Sequence, residues 1–140
     1  MSSIDFKRSI DVEDAVRSAL TDYLTVYCRP LPADYTLPNI LVTQVGGGDT
    51  DEIDAFEIVL DSRAETEADA LEYLRNATGI LKAKAGGSDT AIRHVSVTSS
   101  GSWGSDPARP DLAMCSARMV VIAHQETASI KLEVNTNEQS

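Results

Sequence analysis

The segment Ala91-Ile-Arg-His-Val-Ser-Val-Thr98 alternates apolar and polar side chains, the period of two that predicts a β-strand. A second strand is predicted for Leu112-Ala-Met-Cys-Ser-Ala-Arg-Met-Val-Val-Ile-Ala123, the longest largely apolar run of the chain. Between them, Ser99–Pro110 contains two Gly, two Pro, four Ser and the single Trp. We interpret this segment as a long exposed loop. Such a loop between paired strands is usually functional or disordered.

The predicted loop carries residues suited to recognition. Trp103 and Arg109 belong to the residue types that anchor protein interfaces. The flanking glycines keep the Trp103 ring presented, so contact with a partner competes with an aromatic side chain tucked against its own domain. The sequence therefore points to a binding or assembly protein, and we recognise no catalytic motif in it.

Length and composition predict one soluble domain over residues 1–140. At 15.1 kDa and 42% hydrophobic residues, the chain can bury a core. Its apolar runs are too short for a membrane span, and residues 1–10 are interpreted as a polar lead-in without a signal core. We therefore expect synthesis in the cytoplasm and no membrane partner. Cys28 and Cys115 are expected to be buried free thiols.

The formal charge of −10 argues against ordinary nucleic-acid binding, which needs a basic surface. The charge is uneven, because residues 1–70 contain fifteen Asp/Glu and five Lys/Arg, whereas residues 71–140 contain seven of each. The acidic excess is densest from Asp49 to Asp69. This asymmetry suggests that different surfaces meet different neighbours, while a solvated acidic loop and helix start is the simpler account of most of these carboxylates.

Two helices and four or five strands are predicted along the chain. The helices are Asp11–Cys28 and Glu65–Ala85, with Asp11 and Thr66 as N-caps. The strands are Ile40–Val45, Ile53–Leu60, Ala91–Thr98 and Leu112–Ala123, with Ser129–Val134 as a possible edge strand. A proline-rich connection spans residues 29–39, Gly46-Gly47-Gly48 ends the first strand, and residues 135–140 form a flexible tail.

The element order α-β-β-α-β-β predicts an α+β fold, with a mostly antiparallel sheet of four to five strands and both helices packed on one face. The strand Leu112–Ala123 is apolar on both faces, which is typical of a strand buried on both sides. Because the helices cover one face only, the other face meets either a neighbouring subunit or an overlying loop. The sequence is compatible with both.

We recognise no catalytic, cofactor-binding or metal-binding motif in the sequence. The acidic segment Asp49–Asp54 lacks the ligand spacing of a calcium loop, because Ile53 takes the fifth position. His94 and His124 lie on separate predicted strands without the Cys/His spacing of a zinc site. Gly46-Gly47-Gly48 lacks the Gly-Lys-Ser/Thr ending of a phosphate-binding loop. We therefore predict a non-enzymatic protein without cofactor or metal.

Several loose motifs occur together in a recognisable order. A proline-rich connector ends in Leu37-Pro38 and leads through a strand into Gly46-Gly47-Gly48. The strand Phe56-Glu-Ile-Val-Leu-Asp-Ser-Arg63 opens an alanine-rich helix. Then come Val95-Ser-Val-Thr-Ser-Ser-Gly101, a loop with Asp106-Pro107, and Arg118-Met-Val-Val-Ile-Ala-His124. In this layout, over nearly its whole length, the chain resembles the tail terminator (tail completion) proteins of long-tailed bacteriophages.

The resemblance implies a structural role at the head-proximal end of a siphovirus tail. Proteins of that family form a ring, usually of six subunits, which caps the tail tube, stops its polymerisation and presents a surface for head-tail joining. The implied partners are further copies of the chain, the tail tube protein and a head connector or neck protein. Genomic DNA would pass through the lumen without specific binding.

The resemblance also suggests which surfaces make these contacts. The loops Ser99–Pro110 and Gly46–Asp54 would project toward tube or connector, and the strand Leu112–Ala123 would lie at or near a subunit interface. Carboxylates of Asp49–Asp61, if they line the lumen, would repel passing DNA. The candidate interface residues are Trp103, Asp106, Arg109, Met119, Val121, Asp49, Asp51 and Asp54.

Two other readings stay open. A neck, head-closure or tube-type phage subunit could share this layout and also assemble as a ring. From a different class, a small-molecule-binding or hydrolytic α+β domain would use His94, His124 and the carboxylates of Asp49–Asp54. A ring-shaped assembly would favour the phage class, whereas a convergent pocket with perturbed titrating groups would favour the enzyme or binding class.

Overall fold

A computed structural model describes residues 2–48 and 53–132 of the chain. Within them the elements are β1 (Ser3–Arg8), α1 (Val12–Leu20), β2 (Val26–Cys28), β3 (Asn39–Gly48), β4 (Ile53–Ala64), α2 (Glu67–Lys84), β5 (Ile92–Asp106), β6 (Arg109–His124) and β7 (Glu126–Lys131). The predicted α+β class is confirmed. The element order is longer than predicted, because three short strands were missed or misplaced: β1, β2 and β7.

The main sheet has five strands in the order β2-β3-β4-β6-β5. All neighbours are antiparallel except β2 and β3, which are parallel. Alternate residues of β4 and β6, among them Phe56, Ile58 and Met119, form one core with the buried residues of both helices. The two helices therefore cover the same face of the sheet, and the opposite face, here called the open face, carries the residues between them.

Helix α1 begins as predicted and ends early. The Asp11 side chain accepts a hydrogen bond from the backbone N–H of Asp14 at 3.2 Å, which confirms the N-cap. The prediction that the helix continues to Cys28 is wrong, since it ends at Leu20. The following Val26–Cys28 segment pairs with Ile40–Val42 as the edge strand β2. Its β-branched and aromatic residues suit a strand, and their spacing also fitted a helical stripe.

Strands β1 and β7 form a separate two-stranded ribbon. They are antiparallel, from Ser3 opposite Lys131 to Arg8 opposite Glu126. Residues 1–10, which were interpreted as a polar lead-in, thus contain the strand β1, which was not predicted. The predicted last strand exists, but it covers Glu126–Lys131 and pairs in this ribbon rather than at the edge of the main sheet. Val134 and the predicted tail 135–140 lie outside the described residues.

The prediction of a loop over Ser99–Pro110 is also wrong, because the two strands continue through this segment. Strands β5 and β6 form one long hairpin whose turn is Pro107-Ala108, with Asp106 opposite Arg109. Four register shifts interrupt β5, and Gly101 adopts a φ of +81° beside one of them. Bulges of this kind absorb the extra residues that made the segment resemble a loop.

The glycine run Gly46-Gly47-Gly48 does not end its strand, because β3 continues through it after a register shift beyond Gln44. A Cβ atom on Gly47 would lie 2.1 Å from the backbone oxygen of Ala55, and its φ is +78°. Glycine is therefore required at position 47, beside the backbone of β4. Helix α2 spans Glu67–Lys84 rather than the predicted Glu65–Ala85, and its predicted N-cap Thr66 is confirmed.

Candidate functional site

Four of the predicted interface residues lie at two opposite ends of the main sheet. Trp103, Asp106 and Arg109 belong to the distal part of the β5–β6 hairpin, whereas Asp54 pairs with Ala123 near the other end of β6. The 16 residues of β6 span roughly 50 Å of strand. Asp49 and Asp51 lie outside the described residues. The structure thus brings three of the candidates together and separates Asp54 from them.

Asp106 is held inside the hairpin end rather than presented to a partner. Its Oδ1 accepts a hydrogen bond from the backbone N–H of Ala108 at 2.9 Å, and its Oδ2 accepts one from Arg63 Nε at 3.2 Å. The hydrogen bond from Ala108, followed by that from Arg63, lowers the pKa of Asp106 below its ordinary value. This carboxylate fixes the turn and pairs with a buried guanidinium.

Replacing Asp106 with asparagine is expected to destabilise the protein at neutral pH, because the Arg63 guanidinium loses its charged partner. The folded-state pKa of Asp106 is lowered, so its contribution exists above the unfolded pKa near 4 and disappears as the pH falls through the folded-state value. Urea unfolding at pH 7 and below pH 3 measures the difference. A gap between the two proteins that persists unchanged in acid would contradict this role.

Trp103 and Arg109 remain accessible at the hairpin end. The Trp103 side chain is 49% exposed and lies opposite Cys115 in the β5–β6 register. Arg109 makes two hydrogen bonds with Asp111, 3.1 and 3.0 Å long, and both residues are exposed. Because an exposed ion pair contributes little to stability, Arg109 can exchange this partner for another at small cost.

A cavity opens beside these residues, on the open face of the sheet. Its volume is ≈ 530 Å³, and its lining residues are Leu31, Pro32, Ala33, Tyr35, Leu41, Arg63, Asp106, Ala108 and Arg109. Arg63 is only 7% exposed. Its Nη1 and the hydroxyl of Tyr35 are buried and have no hydrogen-bond partner among the described residues. Sequence reasoning missed both residues, because a buried arginine at the end of a strand looks like an ordinary surface charge.

Met119 and Val121 lie on the helix-covered face of β6 and are completely buried. The prediction that they contact a partner is therefore wrong for the folded chain. Their neighbours Val120 and Ile122 point to the open face and are half-buried. Of the two apolar faces predicted for this strand, the helices cover one completely, and the other keeps part of its surface exposed.

Asp54 is buried, so it is not available as a surface carboxylate either. Its Oδ2 accepts a hydrogen bond from Ser9 Oγ at 2.6 Å, and its Oδ1 accepts one from Gln125 Nε2 at 3.3 Å. Ser9 follows β1 and Gln125 precedes β7. Through these two hydrogen bonds, Asp54 links the main sheet to the residues that adjoin both strands of the ribbon. Asp61, which accepts a hydrogen bond from Ser116, is also engaged within the chain.

The ribbon has one apolar and one polar face. Ile4 lies opposite Ile130. Leu132, two residues after Ile130, lies on the same face, and its backbone N–H donates a hydrogen bond to the backbone oxygen of Ser2 at 2.8 Å. These three side chains are 63%, 59% and 61% exposed. The other face carries polar pairs, including a hydrogen bond from Ser129 to Asp5. A two-stranded sheet with an exposed apolar face is only marginally stable alone, which favours a covering partner.

The two histidines and Asp54 do not converge on one site. His94 is paired with Ile122 and His124 with Ile53, and both histidines are exposed. Asp54 points to the opposite, buried face of the sheet. Within residues 2–48 and 53–132, no group of three or more His, Cys, Asp or Glu side chains is arranged to hold a metal ion. The cysteines are free, and burial raises the pKa of both thiols.

No protein-family model matches the chain, and no curated protein matches it either. Among the described residues, neither helix combines the length and the apolar character needed to cross a membrane.

Proposed function

We propose that this protein is a structural subunit of a homo-oligomeric ring, a tail terminator that caps a phage tail tube and provides the surface for head-tail joining. The observation that carries the proposal is the β1–β7 ribbon. Ile4, Ile130 and Leu132 expose most of their side chains on one face. An apolar face of this kind marks a protein–protein contact. The resemblance to tail terminator proteins adds the identity of the assembly.

The placement of the two hairpins supports contacts in two directions. The β5–β6 turn lies at one end of the main sheet, and the end of β3 at Gly48 and the start of β4 at Ile53 lie at the other. A ring subunit needs such an arrangement, with the tail tube protein on one side and the head connector or neck protein on the other. The net charge of −10 suits a lumen through which genomic DNA passes without binding.

The surface assignment differs from the one that the sequence suggested. We assign the subunit contact to the ribbon and to the open face around Val120 and Ile122, instead of to Met119 and Val121. Trp103 and Arg109 stay in the proposal as contacts of the hairpin end with tube or connector. Asp54 and Asp106 support these surfaces from inside the subunit.

The replacement of both Ile4 and Ile130 by threonine is expected to abolish assembly while leaving the subunit folded. Threonine keeps the β-branched shape that suits a strand and removes most of the apolar contact. Native mass and negative-stain images of the purified protein measure the outcome, with Val45→Thr as the control. Val45 is, like Ile4 and Ile130, an exposed β-branched apolar side chain on a strand, but it lies on β3.

A closed ring in the wild type and the control, with monomers in the double variant, is the expected result. Monomers of the wild type at high concentration and in the presence of tail tubes would overturn the proposal. If the protein forms a ring but phage that lack it still have tails of normal length, the protein would be a neck or head-closure subunit instead.

A further inference from the structure

The cavity beside the β5–β6 turn contains donors that the chain does not satisfy. Arg63 Nη1 and Tyr35 Oη are both buried, and within residues 2–48 and 53–132 neither has a hydrogen-bond partner. Buried polar groups are nearly always hydrogen-bonded, since leaving one unpaired costs free energy. Both residues belong to the wall of the same cavity, which therefore combines an unpartnered guanidinium N–H group with an unpartnered hydroxyl.

The partner that Arg63 does have, Asp106, uses only part of the hydrogen-bonding capacity of the guanidinium. Asp106 uses one oxygen for Arg63 Nε and the other for the backbone N–H of Ala108. The carboxylate is thus shared between the guanidinium and the turn, and Arg63 Nη1 remains free for another acceptor. A guanidinium offers five donors in a fixed plane, and a carboxylate is the acceptor that matches this geometry best.

The rest of the wall is apolar, with Leu31, Pro32, Ala33, Leu41 and Ala108 around the polar groups. A cavity of ≈ 530 Å³ with apolar walls and a few convergent polar groups is typical of small-ligand sites. Arg109 lies at the same wall and forms an exposed ion pair with Asp111, which it can exchange for a ligand at small cost. Residues 31–35, which form one side of the cavity, contain no helix or strand.

We propose that this cavity binds a carboxylate group carried on an apolar body, with Arg63 and Tyr35 as donors to the carboxylate and Arg109 at the entrance. The ligand is either a free carboxylic acid or an acidic side chain of a second copy of this chain. The site does not depend on the ring proposed above, because it is complete within one subunit.

Sodium hexanoate is a suitable probe, and hexanamide is its neutral counterpart. We expect saturable amide chemical-shift changes at the cavity residues with hexanoate, and at least tenfold weaker binding of hexanamide. Tyr35→Phe is expected to weaken hexanoate binding about tenfold, as the loss of one hydrogen bond to a charged group. Tyr23→Phe is the matched control and should bind like the wild type, because Tyr23 is exposed outside the cavity.

Equal binding of hexanoate and hexanamide, or an unchanged affinity in Tyr35→Phe, would overturn the proposal. Failure of hexanoate to bind would do the same and would indicate a bound water between Arg63 Nη1 and the unpartnered Oδ1 of Asn39, its neighbour across the β3–β4 pair. Where hexanoate binds, native mass assigns the source. Dissociation of an oligomer by hexanoate identifies an acidic side chain of a second copy, and an unchanged mass identifies a free carboxylic acid.

Discussion

Replacing Met119 with alanine is expected to lower the free energy of unfolding by about 2–5 kcal/mol, the range for removing a fully buried long side chain. Met119 is completely buried in the centre of β6, opposite Ile58 on β4 and Val97 on β5. Few neighbours can move into the space that it leaves, since they belong to three paired strands under helix α2. Urea unfolding followed by circular dichroism measures the change.

Val120→Ala is the matched control on the same strand. Val120 points to the open face and is only half-buried, so its truncation should cost about 1 kcal/mol or less. The pair of variants distinguishes the two faces of β6. If Val120→Ala proved as destabilising as Met119→Ala in the monomer, the assignment of the covered and open faces would be wrong.

Strand β6 shows which features of the fold could be predicted from the sequence and which could not. The apolar run correctly predicted a central strand, and the caps Asp11 and Thr66 correctly predicted two helix starts. An alternating pattern does not say which face the helices cover when both faces are apolar. Met119 and Val121 were therefore chosen as interface residues, although the helices bury them and leave Val120 and Ile122 on the open face.

The β5–β6 hairpin was missed because its turn lacks the usual hairpin signal. Two-residue hairpin turns favour Asn-Gly or Gly-containing pairs with positive φ. Here the turn is Pro107-Ala108, and among the described residues only glycines have a positive φ. Asp106 before Pro107 was the available signal, because aspartate followed by proline favours a type I turn. The four serines and two glycines in this segment are typical of loops, so a loop was predicted in place of the hairpin.

The ribbon could not be predicted as a unit, because its strands come from opposite ends of the chain. Ser3 pairs with Lys131, and no local pattern links positions so far apart. Ile4 and Phe6 do alternate with polar residues, so β1 was detectable as a short strand. The burial of Asp54 and Arg63 was not detectable, because charged residues are almost never fully buried unless paired, and their partners are distant in sequence.

Replacing Asp54 with alanine is expected to lower the free energy of unfolding by about 2–4 kcal/mol and to release the ribbon from the main sheet. The buried carboxylate accepts hydrogen bonds from Ser9 and Gln125, and hydrogen bonds to charged groups contribute about 1.5–3 kcal/mol each. Because Ser9 and Gln125 adjoin β1 and β7, their loss acts first on these two strands. Hydrogen exchange of the ribbon amides, together with urea unfolding, measures both effects.

Asp54→Asn should cause a smaller loss, since an amide oxygen still accepts one of the two hydrogen bonds while the amide nitrogen cannot accept the other. Glu57→Ala is the control, because this exposed carboxylate lies on the same strand and faces the open side of the sheet. Ribbon amides that exchange early in Asp54→Ala, before the main sheet opens, would show that a buried carboxylate holds the apolar ribbon in position for its partner. Ribbon protection equal to that of the Glu57→Ala control would show that the ribbon is held by other contacts, and Asp54 would then stabilise only the body of the subunit.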